Sequence, residues 1–287
     1  MKISGFSFVR NGVQFDYPFL ESIQSILPLC DEFVLAVGKS NDDTLSLIRN
    51  LREPKIRIIE TVWDDASRVG GKVLADQTNI ALDQVTGDWA FYLQADEVVH
   101  QDDIPVIRLA LSDFLPDRTV EGLLFSYKHF YGSYSYVGAS RRWYRREIRI
   151  IRTGRGVRSW GDAQGFRIGG RKMRVKLVDA SIYHYGWAKS PAKQQEKQKT
   201  FNRYWHDDTW MKRNIGDSSE YDYSNGGRLE AFRGTHPAVM KRRVASQNWD
   251  FSYDPSRVRQ SLKERTLDWF ESFTGLRPGE YRNYVLL

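Results

Sequence analysis

A single cysteine, Cys30, in 287 residues excludes an internal disulfide and suits a reducing compartment such as the cytosol. Cys30 itself reads as a small packing residue. Long apolar runs are also absent: no stretch approaches the ~20 residues of a membrane span. Met1 to Phe6 leads straight into a strand-like segment, without a signal-peptide pattern. There is no internal repeat and no low-complexity tail. Glycine is thin after the first strand-like segment, where Phe8-Val9-Arg10-Asn11-Gly12 lacks the Gly-rich basic loop a nucleotidyltransferase typically needs. These absences exclude a disulfide scaffold, an integral membrane protein and a repeat array.

What is present is a core's worth of hydrophobic residues (41%), nine tryptophans and a net charge of +7. The length allows one large domain or two small ones. Nucleic acid, an anionic membrane surface or a phosphorylated small molecule would each match the charge. It is concentrated: Arg141, Arg142, Arg145, Arg146, Arg149, Arg152, Arg155 and Arg158 crowd together with Glu147 as the only acid among them. That run is either a solvated strand face or a set of which two or three face an anionic ligand.

Strand and helix patterns alternate over the first hundred residues. Ile3–Val9 reads as a strand, Phe15–Leu29 as a helix, Phe33–Val37 as a second strand. A helix capped by Asp42 or Asp43 runs through Leu51, Lys55–Glu60 is a third strand, residues 71–85 are helical, and Trp89–Leu93 is a fourth strand. Such alternation implies a largely parallel sheet with right-handed crossovers. Beyond residue 100 the pattern changes. Asp102–Phe114 is helical, and Gly122–Phe130, Glu147–Ile151 and Met173–Tyr183 are strand-like. Between them lie a Tyr/Gly/Ser loop over 131–140 and a Gly-rich loop over 154–170. From Ser190 the chain is charged and helical, with a polar loop over Asp217–Gly227 and further helices over Pro237–Val244 and Pro255–Phe273.

The most informative segment is Gly87-Asp88-Trp89-Ala90-Phe91-Tyr92-Leu93-Gln94-Ala95-Asp96-Glu97. A turn pair leads into a buried-strand run that ends in an amide and two carboxylates. Open α/β sheets bind ligands at the carboxyl ends of their strands. Oxygen ligands there suit Mg²⁺ or Mn²⁺ holding a phosphorylated substrate. Taken alone, the same carboxylates serve equally as caps of the next helix.

Two earlier blocks add to it. Asp31-Glu32-Phe33-Val34-Leu35-Ala36-Val37-Gly38-Lys39-Ser40-Asn41-Asp42-Asp43-Thr44, then Gly71-Lys72 with Ala75 and Asn79-Ile80-Ala81, precede Gly87–Glu97 in that order. Together the three blocks resemble those of family 2 glycosyltransferases of the GT-A fold. The resemblance is good over residues 1–115, thinner to 190, and points to a bacterial subgroup. It implies an α/β fold of the nucleotide-diphospho-sugar transferase type: a mixed, mainly parallel sheet flanked by helices, with a C-terminal helical extension. Residues 1–115 would be the nucleotide-sugar-binding half, 116–190 the acceptor half, and 191–287 the extension.

Carried over by position, Asp96 would bind the metal that bridges the donor diphosphate, with His184 as a further ligand and Glu97 as either a second ligand or a hydrogen-bond acceptor just outside the metal's own ligands. An imidazole there favours Mn²⁺ over Mg²⁺. His184, flanked by Tyr183, Tyr185 and Trp187, otherwise reads as a packed histidine. Gln94 falls where the family has the first Asp of its motif, and Val37 where it often has an Asp that meets base or ribose. Phe8 and Arg10 are donor-pocket candidates. Asp42 either touches the nucleoside or caps the next helix. Lys72, after Gly70-Gly71, is either a donor contact or a surface lysine. Inverting transfer needs a general base. The resemblance puts it on the acceptor side, where Asp162 in Ser159-Trp160-Gly161-Asp162-Ala163-Gln164 is the choice and Trp160 a sugar platform. Glu147 is the alternative, with arginine neighbours expected to lower its pKa.

The resulting expectation is a metal-dependent inverting glycosyltransferase of the hexosyltransferase type. It would move a sugar from a nucleotide-sugar donor to a glycan or lipid-linked acceptor in polysaccharide biosynthesis. It would be cytoplasmic, peripheral to the inner membrane through an anionic surface, possible as a homodimer, and without nucleic acid as a partner. A nucleotidyltransferase-like enzyme, a catalytically inactive relative and a nucleic-acid-binding module stay open as alternatives.

Overall fold

Three strands with apolar residues on both faces form the centre of the molecule. The computed structural model describes residues 1–64, 70–215, 218–258 and 261–287. Asp217, which opens the expected polar loop, and residues 259–260 of the expected last helix lie outside them. In β2 (Glu32–Gly38) and β4 (Trp89–Tyr92), Phe33, Leu35, Val37, Trp89 and Phe91 pack on one side, and Val34, Ala36, Ala90 and Tyr92 on the other. Strand side chains alternate between faces, so a strand apolar at every position belongs in a sheet covered on both. Helices α1 (Phe19–Ile26) and α4 (Ile104–Phe114) cover the first face. Helix α3 (Lys72–Leu82) covers the second with Val73, Leu74, Ala81 and Leu82.

β1 (Ile3–Val9) lies between β2 and β4, and β3 (Ile56–Thr61) lies outside β2; these four strands are parallel. The chain moves outward from β1 to β2 and β3, then returns through α3 to β4 on β1's other side. That reversal is a topological switch point, and it opens a crevice beyond the carboxyl ends of β1 and β4. The sheet continues through β8 (Arg146–Arg152), β6 (Gly122–Tyr131), β11 (Arg171–Trp187), β10 (Gly165–Ile168) and β9 (Val157–Trp160). Here only β6 and β11 run parallel to each other. The expected mixed sheet flanked by helices is therefore present, with its four consecutive parallel strands in the first half. β5 (Glu97–Val99) runs antiparallel along β11, so that Glu97 faces His184 in register, and His184 faces His129 of β6.

Three local expectations are corrected. The helix expected from Phe15 begins only at Phe19, because Pro18 disfavours the helical conformation of the residue before it. Asn11 and Asp16 instead take left-handed backbone, with φ of 53° and 50°. The Gly-rich stretch 154–170 is not a loop but a hairpin of β9 and β10, turned at Gly161 and Ala163, which have φ of 62° and 66°. The last third is less helical than expected. Besides α5 (Pro191–Phe201), α6 (Asp208–Asn214), α7 (Lys241–Ala245) and α8 (Leu262–Thr274), it supplies β12 (Leu229–Ala231), paired with β7 (Tyr136–Gly138), and β13 (Tyr284–Leu286), paired with β11. Among the described residues, no helix is long and apolar enough to cross a membrane.

Nor is most of the arginine run a solvated face, although Arg142 and Arg158 are exposed. Arg141 and Arg145 pair with Glu271 of α8, and Arg145 also holds Glu280, both its bonds there being 2.9 Å. Arg152 is buried and donates to the carbonyls of Phe114, Leu115, Asp117 and Val120 at 2.7–3.1 Å, closing the C-terminus of α4. Arg152→Met leaves those carbonyls without their charged donor. It is expected to cost ~2–4 kcal/mol in urea unfolding, and Arg152→Lys is expected to recover little because it lacks the planar fork.

Candidate active site

The carboxyl ends of β1 and β4 and the far ends of β6 and β11 enclose a cavity of about 240 Å³. Phe8, Trp63, Phe201, Tyr204 and Trp205 give it aromatic walls, and Arg10, Gln94, Asp96, Asp162, His184 and Lys197 face it with polar groups. A mostly apolar concavity with a few convergent polar groups is the usual form of a small-molecule site.

Asp96 sits at the bottom, in the turn between β4 and β5, and is 8% exposed. Its Oδ2 lies 3.3 Å from Lys197 Nζ and 3.7 Å from His184 Nε2. Burial pushes its carboxyl up, but Lys197, then His184 and Lys189, pull it well below the usual carboxylate range. It is therefore ionised. Gly186 makes the arrangement possible: a Cβ there would come within 2.5 Å of Asp96 Oδ2 and 2.6 Å of His184 Nε2.

A second histidine orients the first. His129 Nε2 lies 2.8 Å from the Tyr144 carbonyl, which can only accept, so this nitrogen carries a proton. Burial, then His184, push the His129 pKa down and keep the ring neutral. Its Nδ1 then accepts from His184 Nδ1 at 3.0 Å. The network leaves His184 Nε2 turned to Asp96 and the cavity.

Glu97 goes the other way, which corrects its expected place among metal ligands. It is fully buried in a bidentate pair with Arg149 (2.7 and 2.8 Å). Tyr127 Oη donates to it at 2.7 Å and the Gln94 amide at 3.1 Å. Its oxygens are thus fully engaged inside the protein. By themselves the residues around Asp96 do not make a closed site for a divalent ion, and Lys197 already stands at its Oδ2. Among the described residues, no group of three His, Cys, Asp or Glu side chains stands together to hold one. An ion on Asp96 Oδ2 would also lie within ~5.4 Å of the Lys197 ammonium, taking about 2.1 Å for the metal–oxygen bond and the 3.3 Å already given. Repulsion between charges of +2 and +1 at that distance is roughly 6 kcal/mol at an effective dielectric of about 20.

Of the expected donor residues, Phe8, Arg10 and Gln94 line the cavity. Arg10 stacks on Trp63, its guanidinium carbon 5.4 Å from the ring centre, and Gln94 Nε2 donates to the Ala163 carbonyl at 3.3 Å. Asp42 and Lys72 are not brought there. Asp42 accepts from the amides of Gln14 (2.7 Å) and Thr44 (3.0 Å) and so ties the chain after β1 to the turn that leads into α2 (Thr44–Arg49), whose N-cap is Asp43. Lys72 pairs with Asp76 one turn along an exposed helix face.

Asp162 stands at the turn of the β9–β10 hairpin. It borders both the first cavity and a second of about 450 Å³, which the two share along Trp143, Tyr144, Asp162 and Gln164. Arg146 and Trp160 line this second cavity. Burial raises the Asp162 carboxyl, against lowering by backbone amides and Arg149. Glu147 corrects the expectation that its arginine neighbours would lower it. Burial pushes it up to about 7, because Arg149 is committed to Glu97, whose charge opposes it. Its Oε2 is buried with no hydrogen-bond partner.

Lys197, His129, Trp63 and Tyr204 were not singled out from the sequence. Ser190-Pro191, a cap followed by Pro at the first helical position, signals the helix that carries Lys197 but not where that helix docks.

The chain matches no family model and no curated protein. Among solved structures it is similar to S. aureus TarS, with 15% identity over 69% of this chain and 38% of that one, at a TM-score of 0.41. It is also similar to TarS 1–349 in complex with UDP (14% identity, 70% and 64% covered, TM-score 0.42) and in complex with UDP-GlcNAc (16% identity, 69% and 65% covered, TM-score 0.41). The chain thus spans less than two thirds of the length of these proteins.

Two measurements check this electrostatic arrangement. Arg149→Met strands a buried carboxylate and is expected to cost ~3–5 kcal/mol, whereas Glu97→Gln combined with Arg149→Met recovers most of it. Glu147 has a pKa of about 7 when folded against an ordinary 4.5. The folded chain then holds more protons across that window, so its stability is full below pH 4.5 and falls by about 3 kcal/mol as pH rises to 7. Glu147→Gln is expected to remove that fall from urea-unfolding curves taken at the two pH values.

Proposed function

We propose that this chain transfers a sugar with inversion from a nucleoside-diphosphate sugar to the hydroxyl of a glycan or lipid-linked acceptor, as a GT-A glycosyltransferase. The observation that carries the reading is the meeting of two cavities at one carboxylate. The aromatic cavity at the switch point offers flat apolar surfaces for a base and a sugar ring. The neighbouring one, with Arg146 and Trp160 in its wall, offers room for an acceptor. Asp162 borders both.

In this reading Asp162 is the general base. The acceptor hydroxyl oxygen bonds to the anomeric carbon as the bond from that carbon to the diphosphate oxygen breaks. The electron pair leaves with the nucleoside diphosphate, and the hydroxyl proton passes to Asp162. Burial suits Asp162 to the task, because a raised pKa makes it a stronger base. The nucleic-acid reading loses its main motive, since Arg141, Arg145, Arg149 and Arg152 are spent on internal acids and carbonyls.

Isothermal titration with UDP, GDP, ADP, CDP and dTDP is expected to show binding of one base over the others. Asp162→Asn is expected to lower transfer ~10²–10⁴-fold with the affinity for that diphosphate unchanged. The acid limb of the wild-type pH–rate profile should lie above the ~3.9 of an ordinary aspartate, with rate rising as pH increases. Undiminished turnover in Asp162→Asn would remove the base assignment.

A further inference from the structure

Resting on the reading of the first cavity as a nucleoside-diphosphate-sugar site, we propose that Lys197 stands there in place of a divalent cation. Its ammonium, moored on Asp96, is the charge that binds the donor diphosphate and meets the negative charge that builds on it as the anomeric bond breaks. Asp96 is then the anchor of that ammonium and not a metal ligand.

The geometry is specific. Lys197 lies on α5, two turns in from the Ser190 cap, and its side chain is 9% exposed where it enters the cavity. An ammonium has three donors. One goes to Asp96 Oδ2 at 3.3 Å and one to the Gly186 carbonyl at 3.1 Å. The third is left for a ligand. The rings of Tyr17 and Phe201 stand 5.0 and 5.6 Å from Nζ, within cation–π reach. A charge fixed in advance stabilises developing charge without having to reorient as the reaction proceeds. Lys189 does not compete for this role: it is fully buried, donates to the Phe15 carbonyl at 2.6 Å and does not line the cavity. The same two contacts explain Gly186, whose missing Cβ leaves the space Asp96 occupies. In the reaction Lys197 donates a hydrogen bond and keeps its proton. The bond broken is from the anomeric carbon to the diphosphate oxygen, and the electron pair stays on that oxygen.

The test is titration of the wild-type chain with the same five nucleoside diphosphates, in EDTA and in Mn²⁺. One diphosphate is expected to bind in EDTA, with an affinity within about threefold of that in Mn²⁺. Lys197→Met is expected to weaken that binding in EDTA roughly ten- to a hundredfold, the range of one lost charge-assisted hydrogen bond. Because Lys197→Met leaves Asp96 buried and unpaired, Asp96→Asn combined with Lys197→Met is made as well. It removes both charges and is expected to show the same loss with a thermal midpoint near that of the wild type. Binding abolished by EDTA and restored by Mn²⁺ overturns the lysine proposal and leaves the transferase reading standing. So does wild-type affinity in the double variant. Failure of all five diphosphates to bind in either buffer overturns the transferase reading itself.

Discussion

The bidentate pair between Glu97 and Arg149 is the contact on which the site depends. It joins the start of β5 to β8 inside the protein, with both partners fully buried. Arg149 lies between the rings of Tyr92 and Tyr127, 5.3 Å from each, and Tyr127 completes the coordination of Glu97. A buried ion pair is weak support for net stability, but its halves cannot be separated cheaply. What it provides is orientation. With Glu97 held inward, the neighbouring Asp96 faces the cavity and meets Lys197 and His184. With Arg149 spent on Glu97, Glu147 is left to the effect of burial and titrates near neutrality.

The C-terminal third completes what the sheet begins. The switch point supplies Phe8, Arg10, Gln94 and Asp96, but the ammonium and the outer aromatic wall come from α5 and the turn after it. That turn is tied back to the sheet domain: the Gly71 amide donates to the Tyr204 carbonyl at 3.1 Å, and Trp205 packs where a Gly71 side chain would lie. A Cβ on Gly71 would also come within 3.0 Å of the Asp162 Cβ. Gly71 is thus where α3, the hairpin and the C-terminal segment meet. The arginines of 141–145 play a similar part at the other end, holding Glu271 and Glu280 so that the last strand can join β11.

The strands of the first hundred residues were legible because each is short, apolar and bounded by turn residues, and because their alternation with helices admits few topologies. Asp96 was legible for the same reason: the end of a central strand has a known position in such a sheet. Glu97 was not, since adjacent carboxylates look alike until the partner of each is known, and Arg149 is far away in the chain. Lys197 was hidden by distance as well. It lies in a run of lysines and glutamines that reads as a solvated helix, and only docking against Asp96 distinguishes it from its neighbours. Asp162 was found, but as part of a loop, because hairpin pairing between Arg158 and Arg167 carries no apolar alternation on its outer face.

In the proposed site Asp96 holds a lysine where the chemistry calls for positive charge. The most direct measurement is a crystal structure grown with Mn²⁺ and the nucleoside diphosphate that binds best, with data collected at the manganese edge. The expected result is a diphosphate oxygen within hydrogen-bond distance of Lys197 Nζ and no anomalous peak on Asp96. A manganese peak on Asp96 Oδ2, with Lys197 displaced from it, would show that a metal and not the lysine carries the charge.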